Sequence, residues 1–383
     1  MALSLENLVL EFKSDSWEAH CRRVAAWSSE LARVAGSQSF PFLSQPLIAA
    51  LDGPKRAEFL KDLGVEIAFP ERDIPHAGRN IVELAKALED HFAWEPFDEG
   101  DPEPSPFAEA AFDLLRCVSR SQLDRAIANL PVFPVAAQRA MQLLLNDGWK
   151  AADLEIIAAS DQVLAAELVG VANSCAFGAC RQVTTLGHAI AFIGAERAFS
   201  ILIAASVKRL FAAKRLHEIW NHSLEASEVA CCLAKLSGAK LSSKVKPEEA
   251  LLAGLVHDIG RLAMALLPED FQRRASNLLN QGCELPLVER VLCGLTHAEL
   301  GAKALERWRF PPAFVEAVMF HHRPERSASP MASILYLAER CTNPEEDLPS
   351  PARSKTAMDR LNLDSENSYR FDLSSRILNS LRF

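Results

Sequence analysis

Leu251-Leu-Ala-Gly-Leu-Val-His-Asp-Ile-Gly-Arg261 sets a histidine and an aspartate at the end of an apolar run. Pro247 stands a few residues upstream, and proline is favoured in the first turn of a helix. The stretch therefore reads as a buried helix that ends in His257 and Asp258. An imidazole or carboxylate facing a helical core is costly unless it has a partner. Working outward, other polar side chains recur in similar company. His222 lies in Trp-Asn-His-Ser, His297 in Thr-His-Ala-Glu-Leu-Gly-Ala, and His321 and His322 in Phe-His-His-Arg-Pro. Groups of this kind, brought together from separate helices, would either bind a metal or satisfy one another.

The rest of the chain supports an all-α fold. Ala and Leu are abundant and Tyr is rare among the 383 residues, and no alternating strand pattern competes with the helical spacing. Asp161 reads as the N-cap of a helix over 163–174, Gly194 as a helix end, and Asn173-Ser174 as a helix-ending cap. The segment Trp94–Pro106 holds five acids and four prolines (WEPFDEGDPEPSP) and reads as an extended linker. It divides a helical region over 1–93, which carries no chemical motif, from a helical domain over 109–342. Beyond Asn343 the tail is polar and turn-rich, with a last short helix expected over 372–383.

The formal net charge of −9 argues against nucleic acid as a partner. The cluster Lys208, Arg209, Lys214 and Arg215 reads as a solvated helix end. Nine scattered cysteines without a CxxC pair fit free thiols in a reducing cytoplasm. Apolar stretches such as Ile201–Val207 fall far short of the ~20 residues of a membrane span. Phosphate-binding glycine loops and the G-x-S-x-G nucleophile elbow are missing from the sequence.

Several motifs together resemble the HDOD family of bacterial signalling proteins, a branch of the HD superfamily of helical metal phosphohydrolases. Leu130-Pro-Val-Phe-Pro134 is similar to its Leu-Pro-x-x-Pro opening. Asp161 to Ser174 is similar to its Asp-Pro-x-Leu helix ending in Ala-Asn-Ser, with Gln162 in place of the proline. His188 to Gly194 is similar to its Ala-Ile-x-x-Leu-Gly turn. Thr296 to Ala302, followed by Leu305-Glu-Arg-Trp308 and Phe310-Pro311, is similar to its strongest run.

The resemblance implies a multi-helix HD-like domain and a set of ligands for a divalent transition metal (Zn, Fe, Mn or Ni). His222, His257 and Asp258 match the first three ligands of an HD site. The late aspartate of that site aligns with Glu339, one methylene longer. His297, His321 and His322 correspond to the extra ligands of a multinuclear branch, and Arg261 stands where a phosphate-contacting lysine is common. The Gly-Tyr-Pro signature of cyclic di-GMP hydrolases is missing, because Arg-Pro-Glu-Arg-Ser follows His322. The resemblance implies a non-catalytic module that binds a signalling protein or a small nucleotide-like ligand. The alternative is a metal-dependent phosphohydrolase acting on a nucleotide or phosphate ester, with Asp258 and Arg261 in its chemistry. A homo-oligomer built through the N-terminal region and the tail helix is a further expectation.

Overall fold

Apolar residues at helical spacing and well-formed caps set the elements. The computed structural model describes residues 3–4, 22–23, 26–27, 29–30, 33, 115–146, 148–174, 182–238, 245–343, 351–363, 370–371 and 381. In chain order the helices are α1 (Arg120–Ala128), α2 (Val135–Leu145), α3 (Ala151–Ala159), α4 (Gln162–Ala172), α5 (Leu186–Ile193) and α6 (Ala195–Lys208). Then come α7 (His217–Gly238), α8 (Pro247–Val256), α9 (Gly260–Met264), α10 (Glu269–Leu279) and α11 (Leu285–Cys293). The last are α12 (His297–Arg307), α13 (Pro312–Met319), α14 (Pro330–Thr342) and α15 (Pro351–Arg360). The β structure among the described residues is a two-residue antiparallel ladder, Leu3–Ser4 with Arg370–Phe371. The linker over 94–108 and the expected helix over 81–92 lie outside the described residues, as does most of 1–93. No single described helix is long and apolar enough to cross a membrane; α5 and the stretch Ala195–Phe211 pass that test only as a pair bent by 115°.

The caps follow the sequence closely. Asp161 accepts from the Val163 and Leu164 amides at the start of α4. It also pairs with Arg209 at 2.5 Å, tying the end of α6 to the beginning of α4. Asn173 closes α4, and its amide clamps both the N–H and C=O of Val183 at 2.7 Å. Thr296 and Glu299 form a reciprocal capping box at the start of α12.

One continuous buried cluster joins the two ends of the domain. Helix α6 runs through it with Ala198, Phe199 and Ile201 to Val207 all buried. Phe133 of the opening motif meets Trp308 and Phe310, with ring centroids 5.1 and 5.0 Å away. Two motifs far apart in sequence therefore close on each other through aromatic packing.

Helix α7 packs along α8, and α14 crosses both. Two glycines set how closely the helices approach. A Cβ on Gly254 would lie 2.5 Å from the Ser227 Cα, so only glycine lets α8 settle against α7. A Cβ on Gly260 would lie 1.9 Å from the His297 carbonyl oxygen and 2.6 Å from the Gly301 nitrogen. That contact brings α9 onto the start of α12, and His297 with it.

Helix α15 corrects the expectation of turns after Asn343. Its composition is polar, but Ala357, Met358, Leu361 and Leu363 are buried against the core. A single narrow apolar stripe was enough to dock it, and the surrounding charges hid that stripe. Arg360 donates to the Pro324 carbonyl at 2.5 Å and to Ser333 Oγ at 3.2 Å, while Arg353 pairs with Glu325 at 3.2 Å. These bonds pin the turn that follows His322. Of the expected final helix only Leu381 is described; its carbonyl accepts from Trp220 Nε1 at 2.9 Å.

Gly260→Ala is expected to cost at least about 3 kcal/mol, since the new methyl meets backbone that cannot rotate away. Urea unfolding of the variant beside the parent chain measures it. A change under about 0.5 kcal/mol would show that the α9–α12 contact is looser than described.

Candidate metal centre

The functional side chains come from five places: α7 gives His222, the turn between α8 and α9 gives His257 and Asp258, and α12 gives His297. The turn after α13 gives His321 and His322, and α14 gives Glu339. His257, Asp258, His297, His321 and Glu339 are each at most 2% exposed. His322 is also buried, and only His222 reaches toward the surface.

The ring nitrogens are sorted in a way that suits ligation. His257 Nδ1 donates to the Gly254 carbonyl at 2.7 Å, and His321 Nδ1 donates to the Val318 carbonyl at 2.6 Å. His297 Nδ1 donates to Glu289 Oε2 at 2.8 Å, and the same oxygen accepts from the His297 backbone N–H at 2.7 Å. A carbonyl or carboxylate can only accept, so each of these Nδ1 atoms carries its proton. Each Nε2 is thereby turned inward. Partners of this kind are what fix the tautomer and orientation of a metal-binding histidine.

The inward atoms converge in three adjoining groups. In the first, Glu339 Oε2 lies 2.8 Å from His222 Nε2 and 2.9 Å from His257 Nε2, with 3.2 Å between the two nitrogens. In the second, His297 Nε2 lies 2.8 Å from His322 Nε2 and 3.4 Å from His321 Nε2. Asp258 stands between them. Its Oδ1 is 3.2 Å from His297 Nε2, 3.7 Å from His257 Nε2 and 3.9 Å from His321 Nε2. Within each group one ligand atom per residue lies within 4.8 Å of the others.

Two buried carboxylate oxygens, Asp258 Oδ1 and Glu339 Oε1, have no aligned hydrogen-bond donor. The approach of His297 to Oδ1 is close enough but not aligned for a hydrogen bond. Orphaned buried carboxylate oxygens beside imidazole lone pairs are the donor set that a divalent transition metal satisfies. The residues present therefore fit the metal that the family resemblance implies.

The electrostatics suit the carboxylates for a cation, while His297 would have to release its Nε2 proton to ligate one. Burial works to raise the Asp258 pKa, but the charges of His257, Arg261 and His297 override it and hold the carboxyl well below its ordinary 3.8. Burial likewise opposes ionisation of Glu339, and His222 and His257 outweigh it, leaving that pKa well below 4.5. His297 is raised well above 6.5: burial disfavours its charge, but Glu289 and Asp258 win. Burial and the neighbouring His322, His257 and His297 push His321 well below 6.5. The metal-free site thus holds two carboxylates pulled toward their ionised form, His297 toward its charged form and His321 toward its neutral form; perturbed pKa values cluster at functional sites and also arise in structural ion-pair networks.

Every candidate ligand named from sequence (His222, His257, Asp258, His297, His321, His322 and Glu339) falls in this cluster. Arg261 is turned onto Asp258 Oδ2 at 2.9 Å. His188 is exposed and His217 Nε2 lies 3.3 Å from the Ala212 carbonyl oxygen, so both stand apart from the cluster. Sequence reading missed Glu289. Its signal was present, for Glu289 shares a helical face with Leu285, Leu292 and Cys293, where an acid is costly without a partner.

This fold and centre define an all-helical domain built around a buried histidine–carboxylate cluster. The chain belongs to the HDOD domain family, whose profile matches residues 130–324. It is similar to an uncharacterised protein of Treponema pallidum (strain Nichols), 20% identical over 199 residues. That match takes in 51% of this chain and 38% of the relative, so the chain spans well under half of the relative's length. Among solved structures, it is similar to a provisionally assigned signal transduction protein from Marinobacter aquaeolei VT8 (TM-score 0.56, 22% identity, 64% of this chain and 60% of that one). It is also similar to an HDOD domain protein of unknown function from Geobacter sulfurreducens (TM-score 0.54, 20% identity, 68% and 93%).

The metal-free chain should be most stable near neutral pH. The pKa of His321 is depressed on folding, so its contribution is lost as pH falls below about 6.5. Asp258 and Glu339 are depressed as well, and their contributions are lost below about 4.5. His297 is raised, so its contribution is complete below about 6.5 and is lost as pH climbs through its folded value. Melting temperatures in chelator across pH 4–9 check this (a range chosen to bracket the ordinary values of these groups). A midpoint that climbs steadily toward either end would contradict it.

Proposed function

We propose that the chain is a signalling module whose buried histidine–carboxylate cluster holds a divalent transition metal without turning over a substrate. The observation that carries the proposal is the paired commitment of the imidazoles. Nδ1 is anchored on His257, His297 and His321, and Nε2 is aimed at two carboxylates with unsatisfied oxygens. Such a centre fits a role in holding the domain in one binding-competent state. The partner would be a signalling protein or a small nucleotide-like ligand. The provisional assignment of the Marinobacter protein to signal transduction is in line with this.

In this proposal His257, Asp258, Glu339 and His222 are the first ligands, with His297, His321 and His322 extending the set. A bound dication supplies charge compensation for the carboxylates and, where water can reach it, a more acidic bound water. The chain's own residues limit the access of water: six of the seven candidate ligands are buried, and His222 alone reaches toward the surface. Arg261 commits its Nη1 to Asp258 Oδ2 at 2.9 Å, which ties part of its guanidinium to the cluster itself. Both features favour a closed centre over a hydrolytic one, since catalytic metal sites keep a position open.

A phosphohydrolase acting on a nucleotide or phosphate ester is the second reading. What favours it is the row of donors, with the His257, Asp258 and His321 group adjoining both the others. Paired metal ions a few ångströms apart are a common phosphoryl-transfer device.

Metal analysis of the purified chain, with a phosphodiesterase assay on a generic nitrophenyl phosphodiester, separates the readings. Bound metal that is lost in His257→Ala and Asp258→Ala, with no turnover above background, is the expected result. Metal-dependent turnover abolished by both changes would establish the hydrolase instead.

A further inference from the structure

Arg274 is a buried charge that the metal centre does not use. It lies on the apolar face of α10 beside Phe271, Ala275 and Leu278, and it is only 5% exposed. An arginine in that stripe needs compensation. Part of it comes from the Leu115 carbonyl, which accepts from Arg274 Nη2 at 2.8 Å. Asp270, one turn back and exposed, lies 3.8 Å from Nη1, and the nearer carboxylate comes from far away in sequence: Arg274 Nε pairs with Glu30 in the N-terminal region. Glu30 is also held by Arg33 at 2.7 Å, and its neighbours Ala26 and Trp27 are fully buried in the common core.

The bonds continue from Arg274 toward the histidines. Leu115 leads into Cys117 and Val118, whose amides both donate to the Leu292 carbonyl, at 2.8 and 3.3 Å. Leu292 lies in the last turn of α11, where helix carbonyls lack partners within the helix. One turn earlier, α11 presents Glu289, which holds both the backbone N–H and the Nδ1 of His297. A contiguous set of bonds therefore joins Glu30 to a residue of the centre, through Arg274, residues 115–118 and α11.

We propose that the N-terminal region acts on the histidine cluster through the Glu30–Arg274 pair. With Glu30 in place, Arg274 remains inside and braces residues 115–118 against α11. With Glu30 withdrawn, the guanidinium keeps the exposed Asp270 carboxylate as its nearest charge and turns outward toward it and toward water. The Leu115 contact is then released, and the end of α11 that aligns His297 loosens. A signal received by the N-terminal region would thereby reach the centre as a change in the order of α11, an equilibrium between docked and released states that the signal biases. The part of this proposal that concerns metal rests on the function proposed above; the part that concerns α11 does not.

The test uses the full chain and Glu30→Gln, which keeps the shape and removes the charge. Hydrogen exchange is followed by segment, and zinc affinity is measured against a competing chelator. Exchange should quicken over residues 115–118 and 285–300 as well as locally, and zinc should bind about two- to thirtyfold more weakly. Arg274→Lys, which retains charge but cannot bridge Glu30 and Leu115 in the same way, should shift the same segments. Faster exchange confined to residues 22–33 and 269–281 in both variants would overturn the proposal. A parent chain that takes up no zinc would count against the metal centre alone, and the exchange pattern would still decide the relay.

Discussion

Two carboxylates buried among five imidazoles are the constraint on which the rest of this structure depends. Asp258 and Glu339 are ionised in a place where burial alone would keep them neutral. Removing a charge from water costs several kcal/mol even after relaxation, so the surrounding groups must return a comparable amount (about 3–5 kcal/mol is lost when one partner of a buried pair is deleted). In the metal-free chain the neighbouring imidazoles and Arg261 do this work. A dication would compete for the same lone pairs, so that metal uptake and proton release would be two sides of one equilibrium.

The backbone is arranged to hold that cluster rather than merely to enclose it. Gly254 and Gly260 allow α7, α8, α9 and α12 to approach more closely than any side chain would permit. The Nδ1 bonds to the Gly254 and Val318 carbonyls fix two rings from their own helices, one turn back. Helix α15, outside the segment matched by the family profile, braces the turn after His322 through Arg360 and Arg353. Rigid placement by surrounding groups is what makes a ligand set selective, since ring orientation decides whether lone pairs meet at one point.

The helical domain was legible in the sequence because its signals are local. Asp161, Gly194, Pro247 and the Thr296–Glu299 box each act within a few residues, so a sequence displays them directly. The clustered residues were legible for another reason: an imidazole in an apolar helix is conspicuous, and the family motifs gathered the separate stretches into one cluster of candidate ligands. What remained hidden depends on distant contacts. Glu289, Arg274 and α15 gain their meaning from partners that chain folding alone brings near. Even so, Glu289 and Arg274 left a trace, because each is a charge set in the apolar stripe of its helix. Arg261 has both kinds of signal: its position in the family pattern suggests a phosphate contact, and the structure adds a bond from its Nη1 to the carboxylate three residues back, at 2.9 Å.

The most direct test of the account is anomalous diffraction from crystals grown with a divalent transition metal, recorded above and below the metal's absorption edge. The account predicts an anomalous peak enclosed by His257 Nε2, Asp258 and Glu339, with the Nδ1 bonds to Gly254 and Glu289 unchanged. A flat anomalous map at the cluster, with the imidazoles and carboxylates bonded only to one another, would contradict it.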